Sequence, residues 1–159
     1  METWREEWGA ELGLSGPCVQ DNHARSEQAG VLRGLHFQAP PKAQSKLVWA
    51  SRGAIYDVAV DIRRGSPTFG KWQGIVLSEE NRLRFFVPRG FAHGYLTLEP
   101  GTEVHYKVDA YYSPEHEEGI LYNDPGLGIS WPLEGVILSE KDKILPLLDS
   151  LDSPFVYQG

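Results

Sequence analysis

Between Val31 and Val108 apolar residues recur at every second position in short stretches, with Gly, Pro, Asn and Ser between the stretches. That period belongs to strands with a buried face, so the middle of the chain predicts an all-β sandwich or barrel. In the run from Tyr56 to Ile62, Tyr56, Val58, Val60 and Ile62 share one face, while Asp57 and Asp61 point the other way. The cluster Arg63-Arg64-Gly65-Ser66-Pro67 reads as a turn, Gln73 to Leu77 as a strand, Ser78 to Asn81 as a tight turn, and Leu83 to Val87 as the next strand. Val104, Tyr106 and Val108 alternate with His105, Lys107 and Asp109, which places Tyr106 in the apolar, inward set.

The ends carry a different period. Thr3-Trp4-Arg5-Glu6 has the form of a capping box, with Trp4, Trp8 and Leu12 on one stripe and Gly13 as a stop, predicting a helix within residues 1–13. Ser139-Glu140-Lys141-Asp142 opens a second short helix within 139–151, limited by Pro146. There is no internal repeat, low-complexity tract or linker, so residues 1–159 are expected to form a single domain.

Composition agrees with one soluble domain: 159 residues, 41% hydrophobic and 23% charged. A chain of this length buries well over half of its unfolded surface and needs no disulfide or structural metal to be stable. Cys18 has no partner for an internal bridge, and no apolar run is long enough for a signal segment or a membrane span. A cytoplasmic location and no membrane partner are therefore expected. The net charge of -7 disfavours a nucleic-acid binder, which gains affinity through a basic face. It leaves room for a small anionic ligand held by a local cluster of Arg and Lys.

Histidines raise the question of metal. Pro88-Arg89-Gly90-Phe91-Ala92-His93 has the P-x-G-x-x-H spacing that resembles one half of the metal motif of cupins, the small double-sheet jelly-roll barrels. The other half would need two histidines one residue apart and a carboxylate. Leu35-His36-Phe37-Gln38 offers one imidazole and an amide, a poor ligand set, so no metal is expected. On the bare sequence His93 could equally satisfy a loop. The run from Val31 to Gln38 mixes an apolar strand with Arg33 and His36, and strict alternation puts those two on opposite faces. If both serve one pocket, Gly34 must host a bulge or kink.

Several segments, in order, resemble dTDP-4-dehydrorhamnose 3,5-epimerases: Val19-Gln20-Asp21-Asn22, Gly30 to Gln38, Asp61 to Gly70, Phe91-Ala92-His93-Gly94-Tyr95, Tyr111 to Glu115, and Asn123 to Pro132. The resemblance runs from about Gln20 into the C-terminal segment. It implies a cupin-type jelly roll with short peripheral helices, acting as a homodimer on a dTDP-linked 4-keto-6-deoxy sugar without metal or cofactor. A ketone at C4 acidifies the hydrogens at C3 and C5. Inversion then needs a base on one face, a stabiliser for the enolate oxygen and an acid on the other face.

The resemblance makes His36 the base, Asp124 its hydrogen-bonding partner, Lys46 the cation facing the enolate and Tyr106 the opposite acid. Without it, Tyr106 would read as a core tyrosine, Lys46 as a surface lysine and Asp124, before Pro125, as a turn former. It also implies Arg33 for the diphosphate, Gln20 and Asn22 for sugar or nucleotide groups, Tyr112 stacked on the thymine and His93 lining the pocket. Family members begin with a strand bearing a D-x-R-G-x-F-x-E-like motif that crosses to the other subunit. Here Met1-Glu2-Thr3-Trp4 leads into the expected helix, so that contribution to the nucleotide site is expected to be missing. Two other readings remain open at this point: a non-catalytic sugar-nucleotide-binding barrel and a metal-dependent cupin enzyme.

Overall fold

Alternation along the strands is realised as two antiparallel sheets, seen in a computed structural model that describes residues 2–159. One sheet has the order β1 (Gln20–Ser26), β8 (Thr102–Val108), β3 (Lys46–Arg52), β6 (Phe85–Val87). The other has the order β5 (Trp72–Ser78), β4 (Ala54–Asp61), β7 (Phe91–Thr97), β2 (Leu32–Gln38), β9 (Glu117–Gly119). This is the double-sheet jelly roll expected. The turn after β5 is closed by its own side chains: Ser78 N–H donates to Asn81 Oδ1 and Asn81 N–H to Ser78 Oγ, both at 3.0 Å.

Apolar burial occurs on both faces of the five-stranded sheet. Val48, Ile55, Leu77, Tyr95 and Val104 pack between the sheets. Leu35, Phe37, Val58, Val60 and Ile62 face away from the barrel and are covered by Ile120, Leu127, Trp131 and Leu148 from the C-terminal third. The polar face of β4 is therefore not solvated; Asp57 is fully buried and faces the barrel interior beside Ile55. A buried carboxylate demands partners, and the register supplies them. Across β4, β7 and β2, Asp57, Tyr95 and Arg33 form one row; Ala59, His93 and His36 form the next.

Gly34 joins the two rows. The β2–β7 register shifts between Arg33 and His36, so both reach the barrel interior as the sequence required. Gly34 has φ +125°, and a Cβ there would lie 2.6 Å from Gly94 Cα and 2.8 Å from the His93 carbonyl oxygen. Gly34→Ala is expected to lower unfolding stability by roughly 3 kcal/mol, from backbone strain plus a collision with main chain that no rotamer relieves. Thermal and urea unfolding would measure it.

Both helices are shorter than the sequence pattern suggests. α1 spans Glu7–Leu12 with Glu6 at its N-cap and no side-chain cap, so the Thr3 capping box does not form. The Thr3 carbonyl accepts from the Arg84 guanidinium. Gly13, at φ +83°, does end the helix as expected. The segment 139–151 is not one helix: α2 spans Glu140–Lys143, capped by Ser139, and a separate 3-10 turn covers Leu148–Ser150 beyond Pro146.

Candidate active site

A cleft of about 510 Å³ opens between the sheets, lined by inward side chains of both. Lys46 on β3 and Tyr106 on β8 come from the four-stranded sheet; His36 on β2 and His93 on β7 come from the five-stranded sheet. The base and the acid expected from the sequence thus stand on opposing walls, with the lysine on the wall of the acid.

His36 Nε2 lies 2.6 Å from Asp142 Oδ1, and Asp142 is buried. A carboxylate only accepts, so the imidazole nitrogen facing Asp142 carries a proton, and in the neutral ring the lone pair lies on the other nitrogen. Burial pushes the Asp142 carboxyl up, but the hydrogen bond and charge of His36, with smaller help from the Gly34 N–H and Ser139, leave it below its ordinary value.

The expected partner Asp124 is not near this dyad. It is buried in a turn, accepting from Gly126 N–H at 2.7 Å and Leu148 N–H at 2.6 Å. An Asp before Pro-Gly whose oxygens cap local amides has no lone pair directed at a histidine, so its role is structural. The sequence did mark Ser139 to Asp142 as a helix start, but nothing local tells which carboxylate, 106 residues from His36, will meet it.

His93 has its own carboxylate: Nε2 lies 2.9 and 3.0 Å from the two oxygens of Asp57. Burial raises the Asp57 carboxyl, against the opposing pull of His93 and Lys46. Lys46, enclosed in the cleft, is brought down to about 8 by burial, with Asp57 and Glu117 opposing that fall. Burial likewise raises the Tyr106 phenol, which is therefore a neutral donor at working pH.

The mouth of the cleft is polar. Gln20 Nε2 donates to Asn22 Oδ1 at 2.9 Å, and Tyr112 N–H donates to Gln20 Oε1 at 3.0 Å. Glu117, which sequence reasoning missed, accepts from Lys141 Nζ at 2.7 Å and from the Tyr112 hydroxyl at 3.1 Å. Arg33, partnered by no carboxylate among the described residues, lines the same space. So all nine expected site residues except Asp124 meet in one cleft, joined by Asp142, Glu117 and Lys141. Among the described residues the one cluster of His and carboxylate side chains close enough to share a metal is His23, Glu103 and His105, outside this cleft.

No helix is long and apolar enough to cross a membrane among the described residues. Comparison with known proteins agrees with the geometry. The model of the dTDP-4-dehydrorhamnose 3,5-epimerase family matches residues 1–150. The dTDP-4-dehydrorhamnose 3,5-epimerase of Sinorhizobium fredii (strain NBRC 101917 / NGR234) is 50% identical over 157 residues, covering 98% of this chain and 80% of its own. The crystal structure of dTDP-6-deoxy-D-glucose-3,5-epimerase from Legionella pneumophila Philadelphia 1, in complex with dTDP-4-keto-L-rhamnose, superposes with a TM-score of 0.94 at 48% identity, covering 99% of this chain and 85% of that one. A 3'-monoepimerase from Streptomyces bikiniensis in complex with dTDP-quinovose superposes at 0.87 with 34% identity, covering 94% and 76%. Fold, cleft and sequence coincide, and the chain belongs to the dTDP-4-dehydrorhamnose 3,5-epimerase family.

Proposed function

We propose that this protein is an isomerase that epimerises a dTDP-linked 4-keto-6-deoxyhexose at C3, C5 or both, as a step of deoxysugar biosynthesis of the rhamnose type. The observation that carries the reading is the His36–Asp142 dyad on one wall of the cleft and Tyr106 on the other. The free imidazole nitrogen of His36 removes a proton from the carbon beside the ketone, and the electron pair moves into the C4 carbonyl to give an enolate. Lys46, as ammonium, stabilises the enolate oxygen. Tyr106 returns a proton to the opposite face, inverting the centre; its phenolate is reprotonated from solvent and the His36 imidazolium releases its proton to solvent, which resets both groups.

Asp142 holds the imidazole in the required tautomer and balances the charge it acquires. His93 and Asp57 form a second fixed pair beside the lysine. Arg33 and Lys141 supply positive charge for the diphosphate, Gln20 and Asn22 bind nucleotide or sugar groups, and Tyr112 stacks on the thymine. The nucleotide sugar is a water-soluble metabolite, which supports a cytoplasmic site of action. A homodimer is part of the proposal on the family resemblance.

Incubation with dTDP-4-keto-6-deoxyglucose in D2O, followed by NMR, tests the reaction. Deuterium is expected at C3, C5 or both, and the positions labelled report which centres turn over. Binding of intact ligand without any wash-in would instead identify a sugar-nucleotide-binding barrel and overturn the enzymatic reading.

A further inference from the structure

The outer face of the four-stranded sheet carries side chains that the reaction does not use. Gln20 and Asn22 on β1 and Tyr106 on β8 line the cleft, so His23, Glu103 and His105, at alternate positions, point the other way. His23 and His105 stand directly opposite each other across β1 and β8, and Glu103 is the next residue of β8 on that face. In this register opposite Cβ atoms are about 4.5–5.5 Å apart and diagonal ones about 7–8 Å, so the side-chain tips can converge. They do: His23 Nε2 lies 3.1 Å from Glu103 Oε2, and one donor atom from each of the three residues falls within 4.8 Å of the others.

The surroundings leave these donors available. Among the described residues the Glu103 carboxylate accepts no hydrogen bond besides that of His23. Of the neighbouring cations, Arg25 is paired with Glu27 at 3.0 Å and Lys107 with Asp21 at 2.7 Å, while Arg52, opposite Glu103 on β3, is exposed to solvent. His105 is held in place, stacked on Trp49 with its Nε2 2.8 Å from Ser51 Oγ. The His23 ring lies against His105 at 4.1 Å and 11°. Parallel rings cannot both aim an in-plane lone pair at one ion, so His23 has to turn, and with its side chain 52% exposed it has the room. Metal–ligand bonds of about 2.0–2.2 Å put tetrahedral donors about 3.4 Å apart, a closure within reach of side-chain rotation.

We propose that His23, His105 and Glu103 form a binding site for a divalent late first-row transition ion of the zinc, nickel or copper type. Two imidazoles and one carboxylate suit such an ion; magnesium and calcium take oxygen ligands. The ion clips β1, the edge strand of its sheet, to β8. It takes no part in epimerisation, because all three ligands face away from the cleft, and the proposal stands apart from the epimerase reading.

The test titrates ZnCl2 into the full chain, previously freed of metal with a chelator, and follows binding by calorimetry and thermal unfolding. One ion per chain is expected, unchanged by saturating dTDP. The Tm should rise by several degrees once free zinc exceeds Kd about a hundredfold, whereas equal MgCl2 leaves it in place. His23→Ala and Glu103→Gln should each weaken zinc binding by more than about tenfold, since losing even a hydrogen-bond partner of a ligand costs about 10–100-fold. With Cu2+ in place of zinc, electron paramagnetic resonance should show nitrogen hyperfine structure from two imidazoles in the wild type and from one in His23→Ala. Zinc affinity unchanged in both variants overturns the site. So does displacement of the ion by dTDP, which would put it in the cleft, or an equal Tm shift with MgCl2. Half an ion per chain also overturns it, because the ligands would then come from two copies.

Discussion

His36→Ala is expected to lower deuterium wash-in at the labelled carbons by on the order of 10²–10⁴-fold, the range for loss of a positioned general base. Asp142→Asn should lower it by about 10²-fold while the protein stays folded. An amide facing the imidazole can donate to it, favouring the wrong tautomer, and cannot balance the positive charge that forms. Asp124→Ala gives the contrasting result. It leaves the buried Leu148 amide without its acceptor, at about 1–3 kcal/mol, while the exposed Gly126 amide turns to water. Exchange per folded molecule should then match the wild type. A loss of exchange in Asp124→Ala equal to that in Asp142→Asn, at matched folded fraction, would contradict the dyad seen here.

Lys46→Met should lower turnover by roughly 10²–10³-fold, the effect of removing one well-placed donor to a developing oxyanion. The pH dependence is the sharper measurement. With the ammonium at about 8, turnover of the wild type should fall as pH rises through 8, and the residual activity of Lys46→Met should lack that limb. Stability moves oppositely. Between about 8 and the ordinary lysine value of 10.5 the unfolded chain holds a proton that the folded chain has released. The Lys46 contribution to unfolding free energy therefore rises with pH across that window. A pH–rate profile beside urea unfolding at the same pH values checks both signs. A flat rate profile through pH 8 would remove Lys46 from the enolate.

The strands were legible in the sequence because a half-buried strand writes its period directly, as Val104, Tyr106 and Val108 do. The bulge was legible because Arg33 and His36 could share a pocket only if Gly34 broke the alternation, and it does. Less was legible where a role depends on distant chain. Asp57 looks like any polar residue between Tyr56 and Val58; its meaning comes from His93 on the neighbouring strand. Asp124 precedes Pro125 in a turn and Asp142 lies in the short helix α2, and only the path of the C-terminal coil decides that the second reaches His36. The capping box is likewise not realised: the helix starts at Glu7 with Glu6 at its N-cap, three residues beyond Thr3.

That path has a consequence for how the protein comes into being. Synthesis delivers His36, Lys46, His93 and Tyr106 early, and strands β1 to β8 are complete by Val108. Asp142 follows 34 residues after that point, within the C-terminal coil that also seals Val58, Val60 and Ile62 from water. A nascent barrel still on the ribosome holds a base with no orienting carboxylate and an uncovered apolar sheet. The same docking event that hides the sheet completes the dyad, so competence for catalysis and protection from aggregation arrive together.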